Sequence, residues 1–362
     1  MPPRKKKKLP TLVWLFFLIL PIVGAALSSF YWARKFPKPP DPVPKVNQPS
    51  GYQLELETLK TLIEATCLEI GLKRQYIELE ESEAKITLPQ RVEKRFFSTL
   101  KRKAESLKGV QYEVLEGEKT LIIIRSGNNS FKVTLLPFKE PMVSLIVDDL
   151  GEDLNLASRF MALGEPLTFS ILPLRTHSRE IALKASRRGF EVLLHIPMEP
   201  KAYPLNDPGK EALMLSMSKE EIRQKVRLFI KAMPHVQGAN NHMGSQFMED
   251  PEMVRVVLET LREEGLFFLD SLTTPNSAAE FEAKKLGLPF YKRDVFLDNA
   301  ETTEDFLKAW EELIKIAKRK GQAIGICHPY RSTLMGLKTV LHSSRTPQLF
   351  PLSWLLPSNL VF

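Results

Sequence analysis

The chain has 362 residues, 51 of them basic and 43 acidic, with 43% hydrophobic residues. Nine of the bases but only one acid, Asp41, fall in residues 1–50, so the rest is formally neutral and its charge gives no argument for nucleic acid. Two distant cysteines, Cys67 and Cys327, exclude a disulfide framework and read as buried small hydrophobes.

Arg4 and Lys5 to Lys8 precede an uncharged apolar run from Leu12 to Trp32, close to the ~20 residues that cross a bilayer core. The basic cluster predicts a cytoplasmic N-terminus. Gly24-Ala25-Ala26 offers small residues for signal cleavage, but the run exceeds the ~7–15 residues of a usual signal core. Residues 1–35 are therefore expected to be an uncleaved single-pass anchor in the cytoplasmic membrane. The body is then exported, to the periplasm or another extracytoplasmic space. Pro37, Pro39, Pro40, Pro42 and Pro44 make residues 36–50 an extended spacer.

Residues 51–140 read as a small α+β module. Leu59, Leu62 and Ile63 recur at helical spacing, and Arg91 to Lys108 forms a second amphipathic stretch. Strand-like runs lie at Tyr76–Leu79, Ile86–Leu88, Gln111–Leu115, Thr120–Arg125 and Ser130–Leu136, with Asn128-Asn129 suited to the last turn. The module carries no cluster of His, Asp or Cys, so binding, dimerisation and positioning all stay open for it.

Residues 141–362 form the larger domain. Strand candidates near 143–148, 167–172, 190–195, 236–241, 266–270, 289–296, 322–327 and 348–354 alternate with helical stretches at 179–188, 219–233, 251–264 and 303–320. That alternation predicts an α/β fold with a parallel sheet, here a (β/α) barrel of about seven strands. In such folds the site gathers at the carboxyl ends of the strands.

Polar clusters stand at just those ends. Asp148-Asp149 closes the first apolar run; one carboxylate suits a metal and the other proton transfer, against the plainer reading of a helix N-cap. His195 ends a fully apolar run and Glu199 follows, a borderline-metal pair in a proline-fixed loop. Asn240, Asn241, His242, Gly244 and Ser245 make a tight polar turn that suits sugar hydroxyls or an oxyanion, or simply an Asx turn. Asp270 suits a carboxylate that orients an imidazole, His328 a general acid, and Tyr330 a substrate contact. His177, His235 and His342 sit in polar contexts and read as surface residues.

The phrases Leu-Ile-Val-Asp-Asp-Leu-Gly, Leu-Leu-His-Ile-Pro-Met-Glu-Pro, Asn-Asn-His-Met-Gly-Ser, Leu-Asp-Ser and His-Pro-Tyr resemble the divergent polysaccharide deacetylase family, from Met142 to about Leu341. The resemblance implies a distorted (β/α) barrel and metal-dependent deacetylation of a polysaccharide. It gives Asp148 the role of base, Asp149 and His195 those of metal ligands, and His328 that of general acid. The family's second metal histidine is replaced by Glu199. An arginine motif is replaced by Asn240-Asn241-His242. The expected ligand set is Asp149, His195 and His242, with Glu199 as the alternative, around a divalent ion for which zinc is the first choice. The expected partner is an acetylated envelope polysaccharide or peptidoglycan-type glycan, with no nucleic acid. The rival expectation is an anchored glycan-binding scaffold that has lost the chemistry.

Overall fold

In a computed structural model of the protein, residues 54–357 are described, apart from 73, 116–119, 342–346 and 356. The anchor expected over 1–35, the spacer over 36–50 and His342 lie outside the described residues. Among the described residues, no helix is long and apolar enough to cross a membrane.

The first sheet orders its five strands β1-β2-β5-β4-β3. They are β1 (Ile77–Leu79), β2 (Glu83–Leu88), β3 (Val110–Leu115), β4 (Thr120–Ser126) and β5 (Asn129–Pro137). Only β2 and β5 pair in parallel. Two helices, α1 (Leu56–Glu69) and α2 (Gln90–Glu105), complete the module. Leu59, Leu62, Ile63 and Cys67 give α1 one buried stripe, and Val92, Phe96 and Leu100 do the same for α2. The tight turn between β4 and β5 is Gly127-Asn128, one residue before the expected pair, because Ser126 pairs with Asn129.

The second sheet has eight parallel strands in the order β11-β10-β9-β8-β7-β6-β13-β12. They are β6 (Met142–Leu150), β7 (Thr168–Ile171), β8 (Glu191–Met198), β9 (Gly238–Met243), β10 (Phe267–Asp270), β11 (Phe290–Lys292), β12 (Val295–Phe296) and β13 (Gln322–Cys327). The helices are α3 (Leu154–Met161), α4 (Ser178–Arg187), α5 (Lys219–Ala232), α6 (Pro251–Glu263), α7 (Ala279–Leu286), α8 (Thr303–Lys320) and α9 (Arg331–Leu341). The result is a curled parallel half-barrel. Two sequence expectations change here. The single run at 289–296 is two edge strands, because the Arg293 N–H donates to the Asp270 carbonyl and the Asp294 N–H to Ile324. The chain thus steps from one edge of the sheet to the other and leaves the barrel open there. The strand expected at 348–354 is a lone bridge at Leu349 followed by a 3₁₀ turn, Leu352–Trp354. Pro351, which has no N–H to offer a ladder, separates them.

Alternation along each strand sorts the side chains. Val143, Leu145 and Val147 of β6 pack outward under the helices. Ile146, Leu193, Leu269, Tyr291, Ile324 and Ile326 point inward and share one core with Phe350, Leu352 and Trp354 of the C-terminal segment. Leu59, Phe96, Ile122 and Phe131 of the module belong to the same core. Each such side chain contributes about 1.5–3 kcal/mol on burial, so module and barrel are held together by a shared apolar core. This C-terminal segment plugs the amino end of the barrel, where the Leu352 N–H donates to Thr168 Oγ1 and the Ser353 N–H to Glu191. The carboxyl end stays free for polar side chains.

Candidate metal centre

A bulge brings the first two acids together. β6 pairs Val147 with Phe169 and Leu150 with Ile171, so Asp148 and Asp149 stand opposite the single residue Ser170. Ordinary alternation would send one of two adjacent side chains outward; the extra residue lets both serve the interior. Asp149 accepts a left-handed backbone, φ 54°, at a cost on the order of 1 kcal/mol.

Asp149 Oδ1 lies 3.0 Å from His195 Nε2 and 2.7 Å from His242 Nδ1. His195 is inward on β8, and His242 is inward on β9, two residues after Asn240. The three ligand atoms lie within 4.8 Å of one another, the only such group of three or more among the described residues. His195 is 2% exposed, whereas the side chains of His242 and Asp149 are 18% and 31% exposed. The cluster therefore has a closed floor and an open mouth. Two imidazoles, one carboxylate and an open side fit the donor set of a catalytic zinc-type ion.

The surrounding contacts prepare these groups. Asn240 Oδ1 is 2.9 Å from His195 Nδ1, and its Nδ2 donates to both oxygens of Asp148 at 2.9 and 3.1 Å. Asp148 Oδ2 is 3.8 Å from His195 Nε2. Burial alone would lower the pKa of His195, but the Asp148 and Asp149 carboxylates outweigh it and raise the value. Burial pushes Asp149 upward, yet its bonds to the two imidazoles hold it well below the usual carboxylate range.

His328 completes the ring of groups, its Nε2 4.0 Å from Asp149 Oδ2. Its Nδ1 is 2.9 Å from Asp298 Oδ1, and Thr333 and the His328 backbone N–H both donate to Asp298 Oδ2 at 2.6 Å. Phe296 stacks on the imidazole at 5.8 Å, and Tyr330 lies at 5.6 Å. Burial works downward on His328 too, but the Asp298 bond and charge prevail and push it up to about 9.

Several sequence expectations are corrected. The carboxylate that orients His328 is Asp298, not Asp270. Asp270 shares strand parity with the outward Phe268, its carboxylate accepts from Leu272 N–H, and burial raises its pKa. The inward group at that strand end is Ser271, whose Oγ accepts from Asn240 at 3.1 Å. Glu199 stands outside the cluster: its Oε2 accepts from Leu215 N–H at 2.6 Å and pins the loop before α5. Asn240 is fully buried and cannot touch a substrate. The Asn241 side chain is tied to Ser271 N–H, the Met243 carbonyl and Thr273, and Ser245 Oγ accepts from Lys201 N–H. Gly244, at φ +84°, closes the turn; a Cβ there would stand 2.9 Å from that of Met198. Tyr330 stays at the mouth beside His328. Asp298 and Ser170 were missed, although Val295-Phe296-Leu297-Asp298 repeats the same apolar-run-then-acid pattern.

A sequence model of the divergent polysaccharide deacetylase family matches residues 145–356. The uncharacterized protein YibQ of Escherichia coli K12 is 32% identical over 214 residues, 58% of this chain and just under two thirds (66%) of the relative. An uncharacterized protein of Haemophilus influenzae Rd is 30% identical over 229 residues, covering 61% of this chain and 81% of its own. The crystal structure of an uncharacterized protein from Agrobacterium tumefaciens C58 superposes with a TM-score of 0.57 at 23% identity, over 60% of this chain and 89% of that one, which shows a shared fold. The residues matched by the family model hold every member of the centre just described, and the chain belongs to the divergent polysaccharide deacetylase family.

Proposed function

We propose that the centre hydrolyses N- or O-acetyl groups of an envelope polysaccharide with the help of a divalent metal, zinc being the first candidate. The observation that carries this reading is the convergence of Asp149, His195 and His242 on one point, with Asp148 and His328 beside it. The bound ion would supply Lewis-acid polarisation of the acetyl carbonyl and of the attacking water. Asp148, fixed by Asn240, takes the water proton as the new carbon–oxygen bond forms. His328, oriented by Asp298, gives a proton to the leaving amine or alkoxide as the bond to the sugar breaks, and acetate leaves. Tyr330 borders the site where the sugar enters.

The apolar run at 12–32 and its basic flank support a membrane-anchored enzyme whose substrate lies outside the cytoplasmic membrane. Acetate release from a panel of N- and O-acetylated envelope glycans tests the reading. Release should stop with a chelator and return with zinc. A folded, metal-loaded protein that binds glycan but releases no acetate from any of them would replace the enzyme with the scaffold.

A further inference from the structure

We infer that Asn240 is a positioning residue that sets both halves of the centre at once, presenting His195 to a metal through its amide oxygen and holding Asp148 through its amide nitrogen. The inference rests on the proposed reading of the site and deepens it.

Asn240 has two lone pairs on Oδ1 and two hydrogens on Nδ2, and the structure uses all four. Oδ1 accepts from Ser170 Oγ at 2.6 Å and faces His195 Nδ1 at 2.9 Å. Nδ2 donates to the Asp148 carboxylate and to Ser271 Oγ at 3.1 Å. The amide can point only one way. Turning the amide over would set Oδ1 against the two Asp148 oxygens that now face Nδ2 at 2.9 and 3.1 Å, in a buried place. With Oδ1 fixed toward the ring, His195 Nδ1 must carry a proton. Nε2 is then the nitrogen whose lone pair is available to an ion, and it is the one that faces Asp149.

Strand register explains why this residue holds that place. His195 and Asn240 are Cα partners in the β8–β9 ladder, so their side chains stand side by side on the inner face. Ser170 and Asp148 reach the same amide from β7 and β6, and Ser271 reaches it from the end of β10. One buried amide thus joins five consecutive neighbours of the sheet, and no other side chain spans Asp148 and His195 in this way among the described residues.

Two substitutions of the full chain separate the roles. Asn240→Leu keeps the volume and removes both the acceptor and the donor. Asn240→Asp keeps an oxygen toward His195 but sets a carboxylate against Asp148. In competition with a chromophoric chelator, Asn240→Leu should bind zinc about 10–100-fold more weakly, as for loss of an outer partner of a metal histidine. Asn240→Asp should stay within about threefold of the wild type. Acetate release should fall about 10²-fold or more in both. Nitrogen-15 spectra of the zinc forms should show a protonated Nδ1 on His195 in the wild type and in Asn240→Asp. A purely structural role would weaken zinc binding alike in both variants, and that result overturns the inference, as does unchanged affinity in Asn240→Leu. If Asn240→Leu does not fold, Ser170→Ala replaces it, with an expected loss of about tenfold; affinity within about threefold of the wild type is then the contrary result. A wild type that takes up neither zinc nor another divalent ion overturns the proposed function itself, and the inference with it. A metal-binding wild type with indifferent variants overturns the inference alone.

Discussion

Strand β8 carries a titratable side chain at each end of its inner face, and the two ends treat it differently. His195, at the carboxyl end, is surrounded by Asp149, Asp148 and Asn240, each of which has further polar partners. Glu191, at the amino end, is buried where the C-terminal plug meets the barrel, and its two oxygens share one backbone donor, Ser353 N–H, at 3.0 and 3.1 Å. Burial raises Glu191 to about 7, only partly opposed by that bond and by the charges of Arg95 and Arg91. At the carboxyl end the buried charges compensate one another, and burial loses to the network. At the amino end burial wins. The contrast separates a site organised to hold charge from a seam that tolerates one carboxyl group in its neutral form.

The largest effects should come from the carboxyl end. Asp149→Ala and His195→Ala should abolish zinc binding, while Asp148→Asn and His328→Ala should keep the metal and lose about 10²–10⁴ in acetate release. Zinc content and release measured on the same four proteins check this. Metal retained in His195→Ala would put the ion elsewhere.

The amino end gives the next effect, in stability. The folded pKa of Glu191 is raised from an ordinary value of 4.5 to about 7. Below pH 4.5 both folded and unfolded chains carry the proton and nothing is lost. As pH rises through this window the unfolded chain gives up its proton first, and folding loses on the order of 3 kcal/mol, complete above about pH 7. Glu191→Gln should remove that slope and leave acetate release unchanged. Denaturant midpoints of both proteins at pH 4.5 and 7.5 make the comparison, and parallel pH profiles would show that Glu191 is not held as a neutral group.

Asp298→Asn should lower acetate release about 10–100-fold by weakening the hold on His328, as for loss of an orienting partner. Asp270→Asn should change it less than threefold, because that carboxylate faces the helices. Equal losses in the two would contradict the assignment of Asp298. The smallest effect belongs to Glu199→Ala, which should cost about 1 kcal/mol of stability through its lost bond to Leu215 N–H and leave zinc affinity unchanged. A fall in affinity comparable to that of His242→Ala would return Glu199 to the ligand set.

These pairs also show what the sequence made legible. Asp148, Asp149, His195 and His328 are legible as polar residues closing apolar runs, and His242 as part of a polar turn, since parallel strands buried on both faces concentrate such residues at their ends. Helix α8 spans the 303–320 expected from the sequence, with Glu304 and Asp305 in its first turn and Lys318, Arg319 and Lys320 in its last. Parity was harder to read. Asp270 and Ser271 are adjacent, and only the phase set by Phe267 and Leu269 shows that the serine points inward. The bulge that turns both Asp148 and Asp149 to the centre has no local signature, because it depends on pairing with β7. Asp298 is hard to see in the sequence because the run before it, 289–296, reads as one strand although it is two, β11 and β12. Phe350, Leu352 and Trp354 alternate like a strand, yet pack as a plug because Pro351 interrupts pairing.

The most direct measurement is anomalous diffraction at the zinc edge from crystals of the zinc-loaded protein. One strong peak per chain is expected within coordination distance, about 2.0–2.2 Å, of an Asp149 carboxylate oxygen, His195 Nε2 and His242 Nδ1. A peak held by other residues, or none at this cluster in a zinc-loaded crystal, would contradict it.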